Sequence, residues 1–259
     1  VITLWCGDMG WGDEIMALGE AEKLSGKVAI VDASGMPRQH PAWLGHLKIA
    51  QPSESFENSV LNCPGHRPYV KSVTAASWKW KEYTPRAGRI QFSLEEQEQS
   101  DNLVGNFVVI EPTLKNKVES QNRGWGWDKF AALTQLVDVD WVQVGATEPK
   151  LLPNARWIQT KTARDMAVVL SKAKSFVAPE GGMHHTAASF GLGGVVIFGG
   201  FISPKVTGYS CHTNIFTGDN TESSLGCGKR VKCSHCTEAM ARITPEMVAD
   251  KLKAYINGK

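Results

Sequence analysis

The chain has 259 residues, 42% of them hydrophobic and 21% charged, enough apolar material for one large domain or two small ones. A formal net charge of only +2 does not mark the chain as a generic nucleic-acid binder. The longest apolar run, GLGGVVIFGGFI (191–202), is too short and too rich in glycine to read as a bilayer span.

VITLWC (1–6) predicts a first strand, GDMGWGD (7–13) a glycine-rich turn, and DEIMALGEAEKL (13–24) a helix with Ile15, Leu18, Ala21 and Leu24 near one face. KVAIVD (27–32) then reads as a buried parallel strand, completing a βαβ unit. Residues 35–90 hold six of the twelve prolines and predict long loops with short elements. Within them Trp78, Trp80 and Tyr83 alternate with Lys79 and Lys81. That is the pattern of a strand with one aromatic face toward the core, although such residues also stack bases or sit at lipid interfaces. The polar stretch EEQEQSDN (95–102) lacks apolar periodicity and marks an expected boundary.

A second alternating pattern follows. NFVVIEP (106–112) predicts a strand, WDKFAALTQLV (127–137) a helix, and DWVQVG (140–145) a strand. TARDMAVVLSKAK (162–174) is a helix capped by Thr162, SFVAPEGG (175–182) a strand entering a turn, MHHTAASFG (183–191) a helix and GVVIFGG (194–200) a strand. The closing helix has Thr244 as N-cap, Pro245 at its first position and Gly258 past its last turn. The expected division is 1–104, 105–243 and a terminal helix over 244–259, with two α/β domains facing one another.

Three stretches could carry chemistry. PEGGMHHTAASFG (179–191) places glycines between a strand and a helix N-terminus, where free N–H groups favour a diphosphate. Glu180 suits a sugar hydroxyl there, and the same residues would equally make a tight turn with a cap. His184 and His185 point about 100° apart on a helix, so a shared metal is not expected. One is expected to face the cleft and the other to pack or cap a carbonyl. In GDMGWGDE (7–14), Asp13 and Glu14 fall in a first helical turn, where carboxylates stabilise a helix or serve as a base at a cleft. The glycine spacing there does not match the dinucleotide fingerprint, although Asp32 lies at about the right distance for the ribose. Finally, Cys227, Cys233, Cys236 and His212 could supply a structural zinc site or pack as a reduced cluster. Six cysteines in a chain of this size are no disulfide scaffold, and with no leader visible the expected compartment is the cytoplasm. Charge divides as a net −3 over residues 1–105 and +5 over the rest, which suits an anionic ligand or a solvated surface.

GWGDEIMALGEA, NRGWGWDKFAAL, PEGGMHHTAASFG, VVIFGGFISPKVTGY and CGKRVKCSHC, in this order, resemble glycosyltransferase family 9, the heptosyltransferase-like enzymes. The resemblance is dense over about 106–240 and thin over 35–95. It implies a GT-B fold: two Rossmann-like domains with parallel sheets facing across a cleft. It also implies Asp13 as catalytic base, in an acceptor-side turn of Gly10, Trp11, Gly12 and Glu14. Arg123 matches the basic residue that contacts the donor's phosphates, helped here by Lys115, and Glu180, Gly181, Gly182, Met183, His184 and His185 form the donor loop. There are departures: Arg123 replaces the usual lysine, His185 a usual leucine, and Pro179-Glu180 an Asp followed by Ser or Thr. The implied activity is inverting transfer of a sugar from a nucleotide-diphosphate sugar to a hydroxyl, with no required cofactor. The acceptor would be a glycan core, with a hydroxylated nucleic-acid base less favoured. The alternative is a non-catalytic nucleotide-sugar binding module.

Overall fold

The protein is represented by a computed structural model that describes residues 9–112, 121–218 and 225–257. The predicted first strand, Lys115 and Gly258 lie outside these.

The continuous apolar runs form the strands that were expected from them, and two strands that were not expected, Ala155–Gln159 and His212–Phe216, join them at the edges. β5 (Phe107–Ile110), β6 (Asp140–Gly145), β7 (Ala155–Gln159), β8 (Ser175–Pro179), β9 (Gly194–Gly199) and β10 (His212–Phe216) make one sheet in the order β10-β9-β8-β5-β6-β7. Every pairing in it is parallel. All six strands therefore end at the same edge, and β5, β8 and β9 are buried along their whole length.

Strand alternation divides the side chains between two core layers. Phe107, Val109, Phe176, Ala178, Val196 and Phe198 face one side, against Val169 and Leu170 of α4 (Ala163–Lys172) and Met183 and Ala187 of α5 (Gly182–Ser189). Val108, Ile110, Val177, Val195 and Ile197 face the other, against α3 (Trp127–Leu136) and α8 (Pro245–Ile256). The capping expectations hold: Thr162 Oγ1 accepts from Asp165 N, and Thr244 Oγ1 from Met247 N.

In the first half, α1 (Trp11–Lys23) packs against the parallel pair β1 (Val28–Val31) and β2 (Asn58–Leu61), over a core of Ile15, Leu18, Ile30, Trp43 and Ile49. β3 (Val70–Val73) and β4 (Trp78–Trp80) form an antiparallel hairpin. Its tryptophans are half-buried against the sheet's core, as the aromatic alternation predicted. The stretch read as a featureless boundary is instead a helix, α2 (Leu94–Asp101), begun by a reciprocal cap between Ser93 and Glu96. The two halves share packing: Ala167 of α4 belongs to the first-half core, and α2 lies on α4. Also among the described residues are the short helices α6 (Pro204–Thr207) and α7 (Ser234–Arg242) and a single 3-10 turn at Pro41–Trp43.

Candidate functional site

β8 runs into Glu180 at the carboxyl edge of the sheet, and α5 starts two residues later. In a parallel sheet this is where helix N-termini and ligands meet. α1 arrives at the same place. Trp11 Nε1 donates to Thr186 Oγ1 at 2.8 Å, and the Trp11 side chain lies over Gly182. Gly12 faces the His185 ring so closely that a Cβ would overlap it. The two motif-bearing turns, some 170 residues apart in sequence, are thus in direct contact.

Asp13 sits in the first turn of α1. Its Oδ2 accepts from Gly10 N at 3.0 Å and pairs with Arg67 Nε at 3.0 Å, while the Tyr69 hydroxyl donates to Oδ1 at 2.5 Å. Burial, and next the Asp13 charge, push the Tyr69 phenol well above its usual range, so it remains a donor. An ionised carboxylate offers about four acceptor positions. Among the described residues these three donors leave one, on Oδ1. Asp13, Asn62, His66, Arg67, Tyr69 and Lys81 line a pocket of about 390 Å³.

Glu14 does not face that pocket. It is buried, held in a bidentate pair by Arg38 at 2.7 and 3.2 Å, and bonded by Asn62 Nδ2 at 2.6 Å. Burial raises its pKa, and the Arg38 contact pulls the other way. Its place is in the architecture between α1, β1 and β2.

At the Glu180 turn, the two residues expected to meet the ligand meet one another. Arg123 Nη1 contacts Glu180 Oε2 at 2.7 Å and the Glu180 carbonyl at 3.3 Å. Thr207 Oγ1 donates to the other carboxylate oxygen at 3.4 Å. The Arg123 guanidinium lies 5.6 Å from the Phe201 ring centre. Phe201 in turn meets Trp80 edge-on at 5.5 Å, and Trp80 stacks on Tyr69 at 6.2 Å. An aromatic bridge therefore runs from the partner of Asp13 to the partner of Glu180.

Neither histidine opens onto a cleft, contrary to the expectation for one of them. His184 Nδ1 accepts from Gly181 N at 3.0 Å, so its proton resides on Nε2, 3.0 Å from the Thr207 carbonyl. That caps the helix and closes off both ring nitrogens. His185 Nδ1 lies 2.8 Å from the Tyr209 hydroxyl. Burial, more than any charge, lowers the pKa of both. Met183 is a core residue of the layer beneath. His212 is also displaced from its expected role. It lies 5.0 Å from the Phe176 ring and 6.1 Å from that of His184, within this aromatic group, and the residue grouped with the three cysteines is His235.

No family model matches the sequence, and no curated protein matches it. Among solved structures, a family 9 glycosyl transferase from Veillonella parvula is similar at a TM-score of 0.50 and 12% identity, over 68% of this chain and 56% of that one. The two chains share a fold over these residues. The E. coli ADP-heptose LPS heptosyltransferase II is similar at 0.48 and 18% identity, over 66% of this chain and 54% of that one. An E. coli heptosyltransferase solved with ADP reaches 0.41 and 14%, over 57% and 48%. The chain thus spans about half the length of these structures.

Sequence reading missed Arg67, Tyr69, Thr207 and Tyr209. The first two stand in the proline-rich NCPGHRPY, which has no periodicity to place a side chain. Thr207 and Tyr209 follow β9 in a short helix and loop, where the contact with α5 is purely tertiary. What these residues assemble is a half-buried carboxylate with one open acceptor position beside a pocket, joined to an arginine-held helix N-terminus. Such a set can take a proton on one side and stabilise an anion on the other.

Proposed function

We propose that the protein is a glycosyltransferase that uses a nucleotide-diphosphate sugar and inverts the anomeric centre. The acceptor side is 1–104, the donor side 105–243, and 244–259 is a closing helix. The observation that carries this reading is the meeting of the Asp13 and Glu180 turns at the carboxyl edge of the sheet. The acceptor hydroxyl donates to Asp13 Oδ1, its oxygen attacks the anomeric carbon, and the diphosphate leaves with the bonding pair. Tyr69 and Arg67 hold the carboxylate in one orientation. The departing charge is met by Arg123 and by the first-turn N–H groups of α5, which have no intrahelical partners. Arg123 must then share or exchange Glu180 for phosphate, leaving Glu180 to accept hydroxyls of the donor.

Asp13→Asn tests the base. It should lower kcat by about 10²–10⁴ while leaving donor affinity in place. Donor binding is read separately by thermal shift against nucleoside diphosphates and their sugars, where a ligand at ~100 Kd adds about 2.7 kcal/mol. Arg123→Ala should abolish that shift. A panel without a hit would remove the reading.

The Arg123–Glu180 pair also favours a second reading, a nucleotide-sugar binding module without turnover. It predicts the same thermal shift, and no product in the parent protein with any hydroxyl acceptor.

A further inference from the structure

The 226–236 segment contains a cluster that the proposed transfer does not use. Cys227, Cys233, His235 and Cys236 bring one ligand atom each to within 4.8 Å of all the others. Cys227 Sγ lies 3.9 Å from Cys233 Sγ and 3.1 Å from Cys236 Sγ. Sulfurs ~2.3 Å from a tetrahedral zinc stand about 3.8 Å apart, so the cluster needs only small adjustment to hold one. All three cysteines are unbridged. Both ring nitrogens of His235 are buried, and among the described residues no hydrogen-bond partner outside the cluster reaches them. A buried imidazole without a partner is costly unless something else takes its lone pair. Three of these residues also stand at the start of α7, where the helix favours negative charge: Cys233 is the N-cap, and His235 and Cys236 lie in the first turn.

We propose that Cys227, Cys233, His235 and Cys236 bind one zinc ion in a closed structural site. Four protein ligands leave no position for substrate, so the metal acts on architecture. What it would hold is visible in the backbone around it. Gly228 O accepts from Trp78 N at 2.7 Å, and Arg230 N donates to the Ala76 carbonyl at 2.8 Å, tying the segment to the β3–β4 hairpin. Gly228 has φ +60°, and a Cβ there would strike the Trp78 carbonyl. Asn122 Nδ2 reaches the carbonyls of Lys229 and Val231, each at 2.8 Å, and Asn122 Oδ1 accepts from Cys233 N at 3.2 Å. The segment thus lies between the hairpin that carries Trp80 and the residue before Arg123. Binding a metal with Cys227 at one end and α7 at the other would fix that seam.

The test uses the full chain purified under reducing conditions without chelator. Elemental analysis should find about one zinc per chain, and a strong chelator should remove it, expose all three thiols to a thiol reagent and speed tryptic cleavage at Lys229, Arg230 and Lys232. Cobalt added to the stripped protein should give the intense visible bands of tetrahedral thiolate coordination. His235→Ala should lose zinc to a chelator that the parent withstands, and His212→Ala should not. Should His235→Ala fail to fold, the cobalt spectrum of the parent chain still decides. Absence of zinc from the purified protein, another metal found in its place, or absence of the cobalt bands would overturn the proposal. So would a native Cys227–Cys236 disulfide, seen as a two-hydrogen mass loss in protein purified without reductant. None of these readouts depends on donor or acceptor, so the site stands or falls apart from the glycosyltransferase reading.

Discussion

At the scale of single residues, Gly12 shows how packing overrules propensity. Replacing glycine by alanine inside a helix ordinarily gains up to about 1 kcal/mol. Here the added methyl would enter the His185 ring, which is fixed by its bond to Tyr209 and cannot retreat cheaply. Overpacking of this kind costs about 1–3 kcal/mol, so Gly12→Ala should destabilise in urea titrations. Gly12→Ala combined with His185→Ala should recover part of that loss, with a coupling of ~0.5–3 kcal/mol. Additive losses would mean that α1 and α5 do not touch in this way. The same contact explains why the glycines of the first turn matter even before any ligand is considered: they let the two helix starts meet.

At the scale of elements, the tie between the halves rests on Arg164 of α4. Its guanidinium grips both Glu96 oxygens at 2.5 Å each and donates to the carbonyls of Pro41 and Gln91 at 2.6 and 2.7 Å. The Arg164 hydrogen bond is also the main reason why the Glu96 carboxyl lies below its usual range. Arg164→Ala leaves a half-buried carboxylate and two carbonyls without their donor, and should cost about 3 kcal/mol or more. Loss of protection in α2 and around Pro41, ahead of the six-stranded sheet, is the expected pattern in hydrogen exchange. Little of this tie is legible in the sequence. The strands β5, β8 and β9 declare themselves because they are buried on both faces and are therefore continuously apolar. The edge strands β7 and β10 do not, because ARWIQ has no fully buried residue and HTNIF only two, so neither reads as a continuous apolar run. α2 escaped because it is polar all round, although Ser93-x-x-Glu96 carried the signature of its cap. For the candidate site, the Asp13 and Glu180 turns could be picked out from glycine, carboxylate and strand–helix order. Their partners could not, since Arg67, Tyr69 and Thr207 are joined to them only by the tertiary fold.

At the scale of the whole molecule, the buried histidines set a direction for the response to acid. His184, His185 and His212 lie together at the sheet edge, and His40 lies between Trp11 and Trp43. All four have lowered pKa values, with burial the main cause: His40 falls to about 4 and His212 to about 3. In the unfolded chain each would titrate near 6.5. Below that pH the unfolded state binds protons that the folded state refuses, so their stabilising effect is complete above about 6.5 and declines as pH falls toward 4. Each imidazole contributes up to about 1.4 kcal/mol per pH unit in that window. Glu14 opposes the trend, since its raised pKa lets the folded state take a proton first, but it is one group against four. A domain stability of ~5–15 kcal/mol is exhausted quickly at such a slope. The expected outcome is a steep loss of stability between pH 6.5 and 4, with acid unfolding complete before most exposed carboxylates have titrated. His212→Leu should reduce the slope by one proton's worth, because burial is the main reason that the folded chain refuses this proton. Denaturant midpoints measured from pH 7 to 4.5 read this directly. A flat profile would mean that the imidazoles titrate freely and that the contact between the α1 and α5 turns is open to water.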